Sequence, residues 1–102
     1  MKNYEIVYSE KAIDDLNNLA NYIIYTCKAP ITSSLYAKNI INTINNLAYI
    51  AESIPLYNRK SLLQYGNSVR RINYKKMAII YSISGNFVII QRIIPGALFT
   101  EQ

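Results

Sequence analysis

Histidine and tryptophan are absent from the 102 residues, and cysteine occurs once. Without histidine there is no imidazole base, no serine–histidine–acid triad and no histidine metal ligand. The lone Cys27 has no intramolecular disulfide partner and cannot build a thiolate metal cluster. The three glycines form no phosphate-cradling loop. No stretch approaches the roughly 18–20 uninterrupted apolar residues of a membrane span. The opening MKNYEIVYSEK lacks the apolar core of a signal peptide. These absences lead us to expect a cytoplasmic protein with no cofactor and no metal. Any chemistry it performs must rest on arginine, lysine and tyrosine.

Acid is missing from half of the chain. Residues 53–100 hold Arg59, Lys60, Arg70, Arg71, Lys75, Lys76 and Arg92 and no carboxylate side chain. Residues 1–52 set Lys2, Lys11, Lys28 and Lys38 against Glu5, Glu10, Asp14, Asp15 and Glu52. So one-sided a segment projects a positive field and favours an anionic partner, a nucleic acid or an acidic protein segment. A basic surface without a partner is the bland alternative. Ten tyrosines accompany the cations. For Tyr74 and Tyr81 in strands we favour core packing with the hydroxyl at the margin. For Tyr57 and Tyr65 base stacking stays open beside it.

What is present reads as one domain, residues 1–102, without repeats or linkers. In YEIVYS, Tyr4, Ile6 and Tyr8 alternate with Glu5, Val7 and Ser9, a strand pattern. Ser9 stands where a helix N-cap belongs, with Glu10, Asp14 and Asp15 soon after it. Adjacent helical acids diverge by about 100°, so Asp14 and Asp15 read as surface acids rather than a metal pair. Ile13, Leu16, Leu19, Ala20, Ile23, Ile24 and Cys27 recur at three and four, a helix of about 17 residues in which Cys27 is a small buried hydrophobe.

After Ala29-Pro30 a second helix is expected over Ile31 to Glu52, with a stripe of Tyr36, Ile40, Ile44, Leu47, Ala51 and Ile54 closed by Pro55. Residues 53–68 form a basic loop with a Gly66-Asn67 turn signal. Strands come next over 69–74, 77–83 and 87–94, the last two joined by a tight turn at Ser84-Gly85-Asn86. The order is β-α-α-β-β-β. It implies an α+β fold, a helical hairpin packed on one face of an antiparallel sheet, with the first strand beside a later one. Parity places Arg70 with Ile72 and Tyr74, and Arg71 with Val69 and Asn73. It places Arg92 with Val88, Ile90 and Ile94, where an arginine either snorkels from the sheet edge or sits in a shallow cleft on the helix-free face, and of the two we favour the cleft.

The strand YEIVYS, the segment SEKAIDDLNNLANYI, a proline-opened second helix and VRRINY…MAIIYSISGNFVIIQRIIPG together resemble the RelE/ParE superfamily of type II toxin–antitoxin toxins. The resemblance covers nearly the whole chain and is closer to ParE-like members. It implies the same β-α-α-β-β-β fold. RelE-like members cleave messenger RNA on the ribosome, whereas ParE-like members inhibit DNA gyrase. Many members leave the last strand through a His-Gly-Ala-Arg type sequence. Here it reads Pro95-Gly96-Ala97-Leu98, and Ala78 stands where nucleases often place an arginine. Arg92 looks like the arginine common in ParE-like last strands.

The resemblance therefore implies a gyrase-binding toxin neutralised by a cognate antitoxin. Arg59, Lys60, Arg70, Arg71, Lys75, Lys76 and Arg92 would meet the target or an acidic antitoxin segment laid along the strands. One alternative is a ribosome-dependent nuclease in which Arg70, Arg71 or Arg92 stabilises phosphate charge and Lys60, Lys75 or Lys76 handles protons with a tyrosine. Another is a toxin fold that keeps antitoxin binding and has lost toxicity. Association of two copies, or a toxin–antitoxin hetero-oligomer, stays open.

Overall fold

Ser9 is where the first strand ends and the first helix begins. In the computed structural model, which describes residues 3–56 and 69–96, β1 (Glu5–Tyr8) stops there and α1 (Glu10–Asn21) starts. The Ser9 side chain accepts the Ala12 N–H at 3.0 Å, satisfying one of the donors that a helix start leaves open. Past Asn21 the backbone widens into a π turn, Tyr22–Thr26. The helical run thus has the length the spacing predicts, but not its phase.

A π turn holds more residues than an α turn and rotates the residues beyond it around the helix axis. Ala12 and Ile23 are buried, with Leu16 and Leu19 half-buried between them. Ile13 is 48% exposed and Cys27 lies on the surface. The expectation of a buried Cys27 is therefore wrong, because Cys27 caps the widened turn instead of continuing the stripe.

Pro30 opens α2 (Pro30–Asn45) at the position where a missing N–H costs nothing. A corner at Asn46, the short α3 (Leu47–Ile50) and a 3-10 turn (Ala51–Ser53) complete the second helical arm. Across this corner the predicted stripe survives. Ile40, Ile44, Leu47 and Ala51 are buried, and Tyr36 and Ile54 pack beside them.

The sheet holds β2 (Val69–Tyr74), β3 (Met77–Ser84) and β4 (Phe87–Pro95) in the order β1-β4-β3-β2. β2 and β4 flank β3 antiparallel, but β1 lies parallel to β4, with Ile6 opposite Val88 and Tyr8 opposite Ile90. The sheet is mixed rather than purely antiparallel, since the helical hairpin carries the chain back before β2 begins.

A register shift between Ile80 and Tyr81 pairs Ile80 with Arg92 and Tyr81 with Ile90, so Gln91 is an extra residue in β4. Such a bulge reverses the alternation beyond it. Ile93, not Ile94, continues the core face of Val88 and Ile90. Arg92 and Ile94 turn to the other face, in register with Ile80 and Ala78. The parity that grouped Arg92 with Val88 and Ile90 fails at this bulge. Under the helices the core gathers Met77, Ile79, Tyr81, Val88, Ile90 and Ile93 with Ala12, Ile40, Ile44 and Leu47.

Candidate partner-binding site

β1 covers the outer edge of β4 only as far as Ile90. Ser9 extends this cover by one step, its N–H donating to Ile90 O at 3.0 Å and its hydroxyl to Gln91 O at 2.9 Å. Beyond it the edge is closed by a side chain. Asp15 Oδ2 accepts the Ile93 N–H at 3.0 Å and Arg92 Nε at 2.7 Å, and Oδ1 accepts Arg92 Nη2 at 2.9 Å. The two side chains are 12% and 25% exposed. Asp15 is thus a clamp between α1 and β4 rather than a surface acid, while Asp14 beside it is exposed. Arg92 reaches the strand edge instead of lying in a cleft on the far face.

Arg70 stands on the core face, where Nη1 donates to Glu52 O at 3.2 Å and to Ile54 O. It binds the carbonyls at the end of the helical arm, as a cation near a helix C-terminus does. Two hydroxyls join it there. Tyr81 donates to Ala51 O at 2.9 Å, and Tyr4 donates to the Glu52 carboxylate. Burial pushes the Tyr81 pKa up to about 12, against a smaller lowering by Arg70. Tyr4 is raised chiefly by its hydrogen bond to Glu52.

Arg71 lies on the opposite face, in one cross-strand row with Ile80 and Arg92. Its Nε donates to Asn73 Oδ1 at 3.0 Å, and its guanidinium rests against Gly96, where a Cβ would come within 2.9 Å of Nη2. The Gly96 N–H donates to Lys76 O at 2.8 Å, tying the exit of β4 to the β2–β3 turn. In that turn Lys75 takes a φ of 52° and sets its ammonium 5.7 Å from the ring centres of both Tyr36 and Tyr74. The two rings meet edge to face at 5.2 Å. Burial, then the nearby Tyr74, raises the Tyr36 pKa. Arg71, Lys75 and Lys76 therefore gather at one end of the sheet, with Arg70 toward the other. Arg59 and Lys60 lie outside the described residues, as do Tyr57, Tyr65 and the Gly66-Asn67 turn.

Of the positions the family resemblance singles out, Ala78 is buried between Asn73 and Ile94, and Pro95 sits opposite Met77. Ala97 and Leu98 are outside the described residues. Among the described residues no group of histidine, cysteine, aspartate or glutamate could hold a metal ion, and no helix is long and apolar enough to cross a membrane.

Between α1 and the end of β4 lies a cleft of about 460 Å³, lined by Leu19, Tyr22, Met77, Ile93, Ile94 and Pro95 together with Asp15 and Asn18. No periodicity in the sequence signals it. It arises because β4 outruns β1 while α1 is held beside it by the Asp15 clamp.

No curated protein matches the chain. The fold matches the chromosomal ParDE toxin–antitoxin system from P. aeruginosa with a TM-score of 0.73 at 16% identity, over 90% of this chain and 95% of that one. It also matches the toxin–antitoxin complex RelBE2 from Mycobacterium tuberculosis with a TM-score of 0.64 at 13% identity, over 91% and 98% of the two chains. At such identities the likeness is one of fold. The sequence itself carries the family: residues 6–97 match the model of the ParE toxin of type II toxin-antitoxin system, parDE. The chain belongs to this family of type II toxins.

Proposed function

We propose that this toxin acts by binding rather than by cleavage, that its target is DNA gyrase, and that an antitoxin bearing an acidic segment neutralises it. The observation that carries the first part is the loss of a nuclease set. Ala78 is buried, Pro95 stands where a proton-transfer group would be expected, and Arg92 is engaged by Asp15. With no acid-base group at these family positions, the clustered cations are better suited to attract and hold a partner than to cut one. Gyrase as the target rests on the resemblance to ParE-like members, the branch to which the family match also belongs. The all-basic run of residues 53–100 supports an acidic neutralising partner, which long-range attraction would bring in quickly.

The test is a gyrase supercoiling assay with purified protein titrated in. Inhibition that grows with protein and is weakened in Arg92→Ala is the expected result. No inhibition by demonstrably folded protein would sink the gyrase reading. Ribosome-dependent cuts within codons would then replace it by the nuclease alternative, for which Lys75 beside Tyr36 and Tyr74, with Arg71 and Lys76 at the same end of the sheet, are candidate groups among the described residues.

A further inference from the structure

The cleft between α1 and the end of β4 has walls that are held in place. One wall is α1, fixed to the strand edge by the three hydrogen bonds that Asp15 accepts. The other is β4, fixed to the β2–β3 turn through Gly96 and Lys76. Its volume of about 460 Å³ lies within the range of pockets that bind discrete ligands. Leu19, Met77, Ile93, Ile94 and Pro95 make the lining aliphatic, and Tyr22 stands over it 57% exposed. The carboxylate among these residues, Asp15, is neutralised by Arg92.

Charge surrounds the apolar interior on one side. Met77 and Pro95 in the lining are chain neighbours of Lys76 and Gly96, and the Arg71 guanidinium rests on Gly96. No acid lies anywhere in residues 53–100 to offset these cations. An aliphatic slot beside a cationic turn suits a bulky apolar side chain carried on an acidic segment. It suits nucleic acid poorly, because aliphatic walls leave phosphates and base edges without donors.

We infer that this cleft is an anchor site in which the acidic segment of the neutralising protein inserts one large aliphatic or aromatic side chain, while flanking acids meet Lys75, Lys76 and Arg71. This rests on the antitoxin reading above and adds the place and the chemistry of contact. Asp15 and Arg92 act as positioning residues for it.

The probes are fluorescein-labelled acidic dodecapeptides identical except for a central Leu, Phe or Ala, read by anisotropy against the full chain. Burial of the larger side chain should make the Leu and Phe peptides bind at least about tenfold tighter than the Ala peptide. Ile94→Glu should erase that ratio, and Tyr22→Ala should reduce it. Tyr22 is exposed enough that its variant will fold, with circular dichroism as the check. Lys75→Ala with Lys76→Ala should weaken all three peptides and flatten their salt dependence without changing the ratio.

A wild-type ratio near one, no binding by any peptide, or a ratio indifferent to both Ile94→Glu and Tyr22→Ala would overturn the anchor site. A labelled RNA dodecamer bound more tightly than every peptide would overturn it in favour of nucleic acid. The gyrase assay on the same preparations keeps the two ideas apart. Lost inhibition with the peptide ratio intact removes the target reading alone, and inhibition with a ratio of one removes the cleft alone.

Discussion

Asp15 does with one carboxylate what two more residues of β1 would have done with a backbone. It takes the Ile93 N–H that the short strand leaves open, and it gathers the Arg92 guanidinium in the same act. Its neighbour Asp14, one helical step around, faces water. Removing one partner from a largely buried, bidentate pair leaves the other short of its bonds, so Asp15→Asn should cost about 1–3 kcal/mol. Asp14→Asn should stay within about 0.5 kcal/mol. Urea midpoints of the two variants, compared at equal m-value, measure the difference. Equal losses would show that the pair contributes nothing specific. In the sequence the two acids read alike, because what separates them is a contact with a strand 77 residues away. Ser9 was legible for the opposite reason, since its bond is to Ala12, three residues on.

Elements were readable wherever one local period ran unbroken, and misread where a single residue was added. The stripe from Ile40 to Ala51 and the strands β2 and β3 keep to their spacing. The extra residue of the π turn exposed Cys27, and the extra Gln91 turned Arg92 and Ile94 over. Neither has a residue type that announces it. The β2–β3 turn is a third case, since Lys75 takes a φ of 52° where glycine would be at ease. Left-handed backbone costs an ordinary residue about 1 kcal/mol, and a solvent-exposed contact with two tyrosine rings returns roughly 0.5–1 kcal/mol. Lys75→Gly should therefore leave stability nearly unchanged. Lys76→Gly, at an ordinary φ, should lose about 0.5–1 kcal/mol to the freed unfolded chain. Thermal midpoints of the two glycine variants decide it, and an equal or larger loss at Lys75 would mean that its ring contacts outweigh the strain.

Across the whole molecule the basic half was evident from composition, but its division of labour was not. Arg70 and Arg92 are fastened to the helical layer, at Glu52 and Ile54 and at Asp15 respectively, while Arg71, Lys75 and Lys76 collect at the far end of β2. Sequence counts charges; only packing shows which of them hold the two layers together. At the fastened end Tyr81 carries its hydroxyl into the core to reach Ala51 O. Its pKa is raised from 10.0 to about 12 by burial, so the folded state favours the neutral form. A group whose folded pKa lies above its unfolded one adds stability that is complete below the unfolded value and is lost as pH rises through the folded one. Stability should accordingly fall between pH 10 and about 12. Tyr8 and Tyr36, raised by burial, pull the same way. Tyr81→Phe should flatten that alkaline fall relative to wild type. At neutral pH it should cost about 1 kcal/mol, because the Ala51 carbonyl then lacks its donor. Denaturant midpoints measured from neutral to alkaline pH test both halves together. Parallel alkaline slopes in the two proteins would mean that Tyr81 ionises freely in the folded state, and that the junction between helical arm and sheet is looser than its geometry implies.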